Sequence, residues 1–173
     1  TRTQLHELFE YEATQRGDGL PPDATVTERY VQALEHGLSS VRAAGARNAL
    51  SAELVRAMHG ILMQDAPAHV RAGQYRTTQA WIGSGRIEDA VFVPTPPDRI
   101  GECMGELEHS MLQYSPREDE QWQIPVVAQI AIAHAQFETI HPSVDGNGRS
   151  GRLLMPLILA PQGYPPLYIS GRL

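Results

Sequence analysis

Residues 124–152 read IPVVAQIAIAHAQFETIHPSVDGNGRSGR. Ile124 to Ile140 is apolar on nearly every side of a helix, and a helix of that kind belongs in the middle of a core. It must stop at His141-Pro142, because proline cannot continue it. Glycines keep the next stretch open. A second helix is expected to start near Asn147 to Arg149 and to run through Leu153, Leu154, Leu157 and Ile158. A helix-loop-helix over about 124–160 therefore anchors the reading of the whole chain.

Upstream, Ile100, Met104, Leu107 and Met111 fall at helical spacing. Before them the period changes. RTTQAWIG (76–83) and AVFV (90–93) are short β-prone runs joined by the polar SGRIED, so a hairpin is expected over about 75–94. Ser51 is placed to cap a helix burying Leu54, Val55, Met58, Ile61 and Leu62. Thr25 and Glu28 have capping-box spacing ahead of a stripe of Tyr30, Val31, Leu34 and Leu38. RGDGLPPD (16–23) is a turn-rich break, and Leu5, Leu8, Phe9 and Ala13 mark a first helix. The expectation is one mainly α domain over residues 1–173: a helical bundle around a central buried helix, with one hairpin.

The chain has 173 residues, enough for a sizeable core. Its net charge of −6 argues against broad nucleic-acid binding through this domain. Cys103 is the single cysteine, so no internal disulfide can form, which suits a reducing, cytoplasmic setting. No apolar run is long enough to span a bilayer, and no signal peptide is visible. The start at Thr1 reads as a trimmed or processed piece of something longer.

The loop concentrates chemistry-bearing residues. His141 ends a helix whose carbonyl groups raise an imidazole's proton affinity, which suits a general base. Taken alone, it reads better as a helix cap. Asp145 has the side chain and surroundings of a Mg²⁺ carboxylate; taken alone, it reads as a turn former. Gly146, Asn147 and Gly148 let backbone N–H groups approach an anion ahead of a helix N-terminus. Arg149 and Arg152 share one face of that helix's start, where cations oppose the dipole unless an anion is present. Such a cluster within a dozen residues points to a nucleotide triphosphate site that activates a hydroxyl. No Gly-Lys-Ser/Thr follows the glycines, so it is not a P-loop. His134 reads as a buried, hydrogen-bonded histidine, and His59, His69 and His109 carry no assignment.

HPSVDGNGRSGR resembles the motif of the Fic family, His-Pro-Phe-x-Asp/Glu-Gly-Asn-Gly-Arg-x-x-Arg, at every defined position but one. GQYRTTQAWIG with AVFVPTPP resembles that family's flap, and LSAELVRAMHGILM the helix before it. The resemblance implies a protein adenylyltransferase that moves AMP from ATP to a Ser, Thr or Tyr hydroxyl of a target protein. His141 would be the base, Asp145 would hold Mg²⁺, and Gly146, Asn147 and Gly148 would cradle the phosphates. Arg149 would bind phosphate and Arg152 the γ-phosphate. The flap residues Thr77, Thr78, Gln79, Ala80, Trp81 and Ile82 would hold the target by strand addition. Self-modification and a homodimer stay open.

Ser143 stands where the family has Phe, which implies a less firmly held loop; restoring Phe should then raise thermal stability or turnover. Many members carry an inhibitory helix, Ser/Thr-x-x-x-Glu-Gly/Asn, and no full match occurs here. TQLHEL (3–8) and SGRIED (84–89) fail at the last residue. The first helix resembles the segment that follows such a helix, so the parent protein is expected to carry one ahead of Thr1. Two alternatives remain: transfer of another phosphate-containing group on the same scaffold, and a catalytically weakened nucleotide-binding module.

Overall fold

A computed structural model describes residues 22–43, 49–83, 85–116 and 121–165. The helix expected around Leu5 to Ala13 lies outside them. Among the described residues, five α-helices carry the fold: α1 (Pro22–Ala43), α2 (Ala52–Leu62), α3 (Ile100–Leu107), α4 (Val126–Ile140) and α5 (Asn147–Leu159). Helix α1 already runs at Pro22, so Thr25 and Glu28 lie inside it and do not box its start. Ser51 caps α2 as its spacing suggests: its hydroxyl accepts the Leu54 N–H at 3.1 Å. The Glu108 carboxylate adds an acceptor there, 2.8 Å from the Ala52 N–H, where negative charge suits the helix dipole. Helix α3 widens into a π-turn over Glu108–Leu112. The buried Gln129 of α4 secures that turn by donating to the Met111 carbonyl at 2.6 Å.

The buried centre of the bundle is α5. It packs against α1, α2 and α4, with Ser150, Gly151, Leu153, Leu154, Pro156, Leu157 and Ile158 all buried. This corrects the expectation that the helix before the loop is the central one. Helix α4 buries one face, through Gln129, Ala133, Phe137 and Ile140. Its outer side carries exposed Ala131 and Ala135, small enough to face water at little cost, together with Val127 and Ile132. Apolar composition on all sides did not mean burial on all sides, because much of it was alanine. Pro156 sits inside α5, where it removes a single ladder bond without ending the helix.

The segment over 75–94 also departs from expectation. Among the described residues it forms one antiparallel bridge, Ile82 with Phe92, and no regular strand. Ile82 N–H donates to Phe92 O at 2.9 Å, and Val91 N–H returns a bond to Ile82 O at 2.9 Å. A short 3₁₀ turn, Ile87–Asp89, occupies the connection. The rest of the arm is tied by side chains: Gln79 Nε2 donates to the carbonyls of Ala80 and Pro94, each at 3.0 Å. Amide-to-carbonyl ties replace the ladder that the β-prone residues suggested. No described helix is long and apolar enough to cross a membrane.

Candidate active site

Helix α4 ends at Ile140, and His141 takes the C-cap position in the left-handed region, with φ 50° and ψ 61°. A non-glycine residue there is uncommon and must be held by its surroundings. Its N–H closes on Phe137 O at 2.9 Å. The imidazole is half-buried. Burial pushes its proton affinity below the ordinary 6.5, outweighing the pull of the Glu138 carboxylate, and the Arg76 charge pushes the same way. The helix-end carbonyls therefore do not set the direction, as the sequence reading had them do. That direction favours the neutral ring, which is the form a base requires.

Four ties fix the loop that follows. Ser143 N–H donates to Asn147 Oδ1 at 2.9 Å, and Asn147 Nδ2 donates back to Ser143 O at 2.8 Å. Both residues are buried. Asn147, itself a residue of the motif, thus ties the backbone at position 143 through its amide, and its side chain is occupied in the loop. The third tie is His59, 3% exposed on α2. Its Nδ1 accepts the Gly73 N–H at 2.9 Å, so Nε2 carries the ring proton and donates to Asp145 O at 3.0 Å. Burial lowers its proton affinity, consistent with that neutral tautomer. The fourth is Arg76, whose backbone N–H donates to Pro142 O at 2.8 Å and whose Nε donates to His141 O at 2.9 Å.

Gly146 turns the chain into α5 with φ 80°. A side-chain carbon there would lie 2.7 Å from Met63 Sδ, so both conformation and space demand glycine. No side chain caps α5, and no acidic residue stands in its first turn. The first intrahelical bond runs from Ser150 N–H to Gly146 O at 2.9 Å, so the N–H groups of Asn147, Gly148 and Arg149 have no acceptor within the helix. Arg149 sits 3.6 Å from Asp145 Oδ2. Arg152 reaches back toward Gly148, with Nη1 3.5 Å from where a side-chain carbon would be. Its Nε is buried and unpartnered among the described residues.

The site residues named from sequence therefore converge. His141, Asp145, Gly146, Asn147, Gly148, Arg149 and Arg152 line one loop and one uncapped helix end. In the flap, Thr77 is held by Arg71 at 3.1 Å and the Thr78 carbonyl by Arg76 at 3.0 Å. Trp81 and Ile82 stand at the exposed outer end, about 40% accessible. Two residues of consequence carried no assignment from sequence, His59 and Arg76. A histidine at the fourth position after Val55 and the third before Leu62, on an apolar stripe, is the signal that was available for the first.

A profile of the Fic/DOC family matches residues 49–159. The chain belongs to the Fic/DOC family. It is 34% identical over 100 residues to the protein adenylyltransferase fic-1 of Caenorhabditis briggsae, and 33% identical over 100 residues to the protein adenylyltransferase Fic of Drosophila grimshawi. Each match covers 58% of this chain but 17% and 18% of those proteins, so the chain corresponds to a small part of their length. Among solved structures, a Fic domain containing signaling protein from Bacteroides thetaiotaomicron superposes with a TM-score of 0.74 at 20% identity, covering 95% of this chain and 59% of that one. A Fic family protein from Desulfovibrio desulfuricans gives 0.61 at 28% identity, covering 90% and 42%. The mainly helical fold is thus that of the family.

Proposed function

We propose that this domain transfers AMP from ATP to a Ser, Thr or Tyr hydroxyl of a target protein. The observation that supports this best is the pairing of a half-buried His141 with an uncapped helix N-terminus that bears Arg149 and Arg152, whose Nε is buried and unpartnered among the described residues. His141 takes the hydroxyl proton. The hydroxyl oxygen bonds to the α-phosphorus, the bond to the bridging oxygen of the β-phosphate breaks, and pyrophosphate leaves. Backbone N–H groups of Asn147, Gly148 and Arg149 receive phosphate oxygens. Arg149 binds phosphate, and Arg152 answers the γ-phosphate.

Asp145 fits a Mg²⁺ carboxylate. Its side chain is 63% exposed, and no group of three or more His, Cys, Asp or Glu among the described residues is placed to hold a metal by itself. Mg²⁺ characteristically rests on one or two carboxylates, waters and substrate phosphates, and there it neutralises phosphate charge. The arm over 75–94 is the flap of this reading, and Thr77 to Ile82 would take an extended target segment by strand addition.

The test is incubation with Mg²⁺ and ATP labelled at the α-phosphate, beside His141→Ala, with a cell lysate and with the protein alone. Label on protein that requires His141 supports AMP transfer, to a target or to the chain itself. Label from the γ-position instead would favour transfer of another phosphate-containing group. ATP binding with no transfer would make this a nucleotide-binding module.

A further inference from the structure

Arg76 is 2% exposed, and among the described residues it meets no carboxylate. A buried, unpaired cation is expensive unless dipoles replace its water. Here they do. Nη1 donates to Thr78 O at 3.0 Å, Nη2 to Thr95 O and, at 3.4 Å, to Ile140 O, and Nε to His141 O at 2.9 Å. Thr78 and Thr95 are the roots of the two arms of the flap. Ile140 and His141 bring the terminal carbonyls of α4, which lack helical partners and carry the negative end of the dipole. The backbone N–H adds Pro142 O. One rigid planar fork thus joins both flap roots to the backbone of the residue read as the base.

We propose that Arg76 is a positioning residue that holds the flap and His141 in one frame, so that a hydroxyl docked on the flap meets the base at a fixed offset. The target-docking half rests on the function proposed above; the mechanical coupling does not. Lysine could not replace the fork, because a single ammonium cannot reach carbonyls on both sides. The left-handed backbone of His141 agrees with this role, since its carbonyl is aimed at Arg76 and needs that donor to hold it. The charged groups facing the His141 ring are Glu138, Arg76 and Asp145, and Arg76 is among those that lower its proton affinity.

Amide hydrogen exchange on the full chain tests the coupling without any AMP transfer. In the parent protein, the amides of Ile82 and His141 should open together, with the same free energy and the same dependence on low urea. In Arg76→Lys, both should exchange about tenfold faster or more, while amides of α2 and the second half of α5 keep their rates. In Arg76→Gln, the His141 ring should also titrate higher by NMR, because the neighbouring charge is gone. If Ile82 opens alone and the His141 amide and ring do not change, Arg76 is a local brace and the proposal fails. A rise across all helices would likewise reduce it to a folding residue. Should neither variant fold, the parent measurement decides: two separate opening energies overturn the proposal. Absence of AMP label would end the function reading and leave this result standing.

Discussion

The loop from His141 to Arg149 and the flap arm from Thr77 to Val93 are neighbours built on opposite terms. In the loop, Pro142, Ser143, Gly146 and Asn147 are buried, and backbone groups are met by Asn147, His59 and Arg76. In the arm, Val91 is 82% exposed, and one bridge holds the outer end. In the loop, to which the proposed function assigns the chemistry, several contacts fix the same few atoms. In the arm, which the proposed function gives to the target, apolar side chains such as Val91 stand in water. Rigid scaffold with open recognition loops is the usual division of labour in binding sites. Arg76 joins the two regions at the arm's root.

The largest effect should come from the base. His141→Ala is expected to lower transfer by about 10²–10⁴-fold, with nucleotide affinity retained because the phosphate groups are met elsewhere. The pH profile sharpens this. Transfer needs the neutral ring, and the folded ring binds its proton less readily than the ordinary value of 6.5. The acid limb of kcat/KM should therefore fall below that value. In the unfolded chain the ring regains ordinary affinity, so its contribution to stability is full above 6.5 and is lost as pH falls through 6.5 toward the depressed value. A limb centred at or above 6.5 in the parent protein would contradict the assigned environment.

Next is the clamp. Asn147→Ala leaves the buried Ser143 N–H and C=O without partners, at about 1–3 kcal/mol for each unsatisfied group. A loss of about 2–4 kcal/mol in urea unfolding is expected. Asn147→Asp keeps the acceptor and loses the donor, so about half of that loss should remain. Equal losses in the two variants would mean that the reciprocal pair is not what holds the loop.

How much of this was legible in sequence follows the range of each interaction. The order and type of the helices, the stop at His141-Pro142 and the restart at Asn147 came from spacing within a few residues. So did the arginine-bearing start of α5, which has no acidic residue in its first turn. His59 and Arg76 act across the chain, on Asp145 and His141, and no local spacing records that. Their partners are backbone carbonyls, which every residue supplies, so no motif betrays them. The flap ladder was over-read for the converse reason: β-prone side chains were present, but Gln79 and Arg76 take carbonyls that a ladder would have used. The resemblance sets Ser143 against a Phe side chain, whereas the loop around it is tied through backbone groups that Asn147 meets, and spacing does not record those.

The close packing at Ser143 reverses the sign of a third, smaller effect. Ser143 is 6% exposed, with both backbone groups bonded to Asn147. Adding an aromatic ring to a site already closed forces shifts that typically cost about 1–3 kcal/mol. Ser143→Phe should therefore lower Tm, against the gain that the family motif alone suggests. A higher Tm would show space beside Ser143 and an anchor still waiting to be filled.

The smallest effect on stability should be in the arm, and there the comparison is tested from its open side. Val91 and Thr have nearly the same shape and both suit extended backbone. The Val91 N–H bond to Ile82 O does not involve the side chain, so Val91→Thr should preserve the bridge. An exposed substitution of this kind usually changes stability by less than about 0.5 kcal/mol. Nucleotide affinity should not move either, since the groups proposed to meet phosphate lie on α5. What should change is the pattern of labelled proteins in a lysate, because a polar group now interrupts the apolar surface offered to an extended target. If the pattern is unchanged while Asn147→Ala still unseats the loop, the outer arm does not read targets through Val91, and the apolar face must serve a different contact. If Val91→Thr instead lowers Tm by as much as Ser143→Phe, the arm is packed rather than open, and the contrast between the two regions is lost.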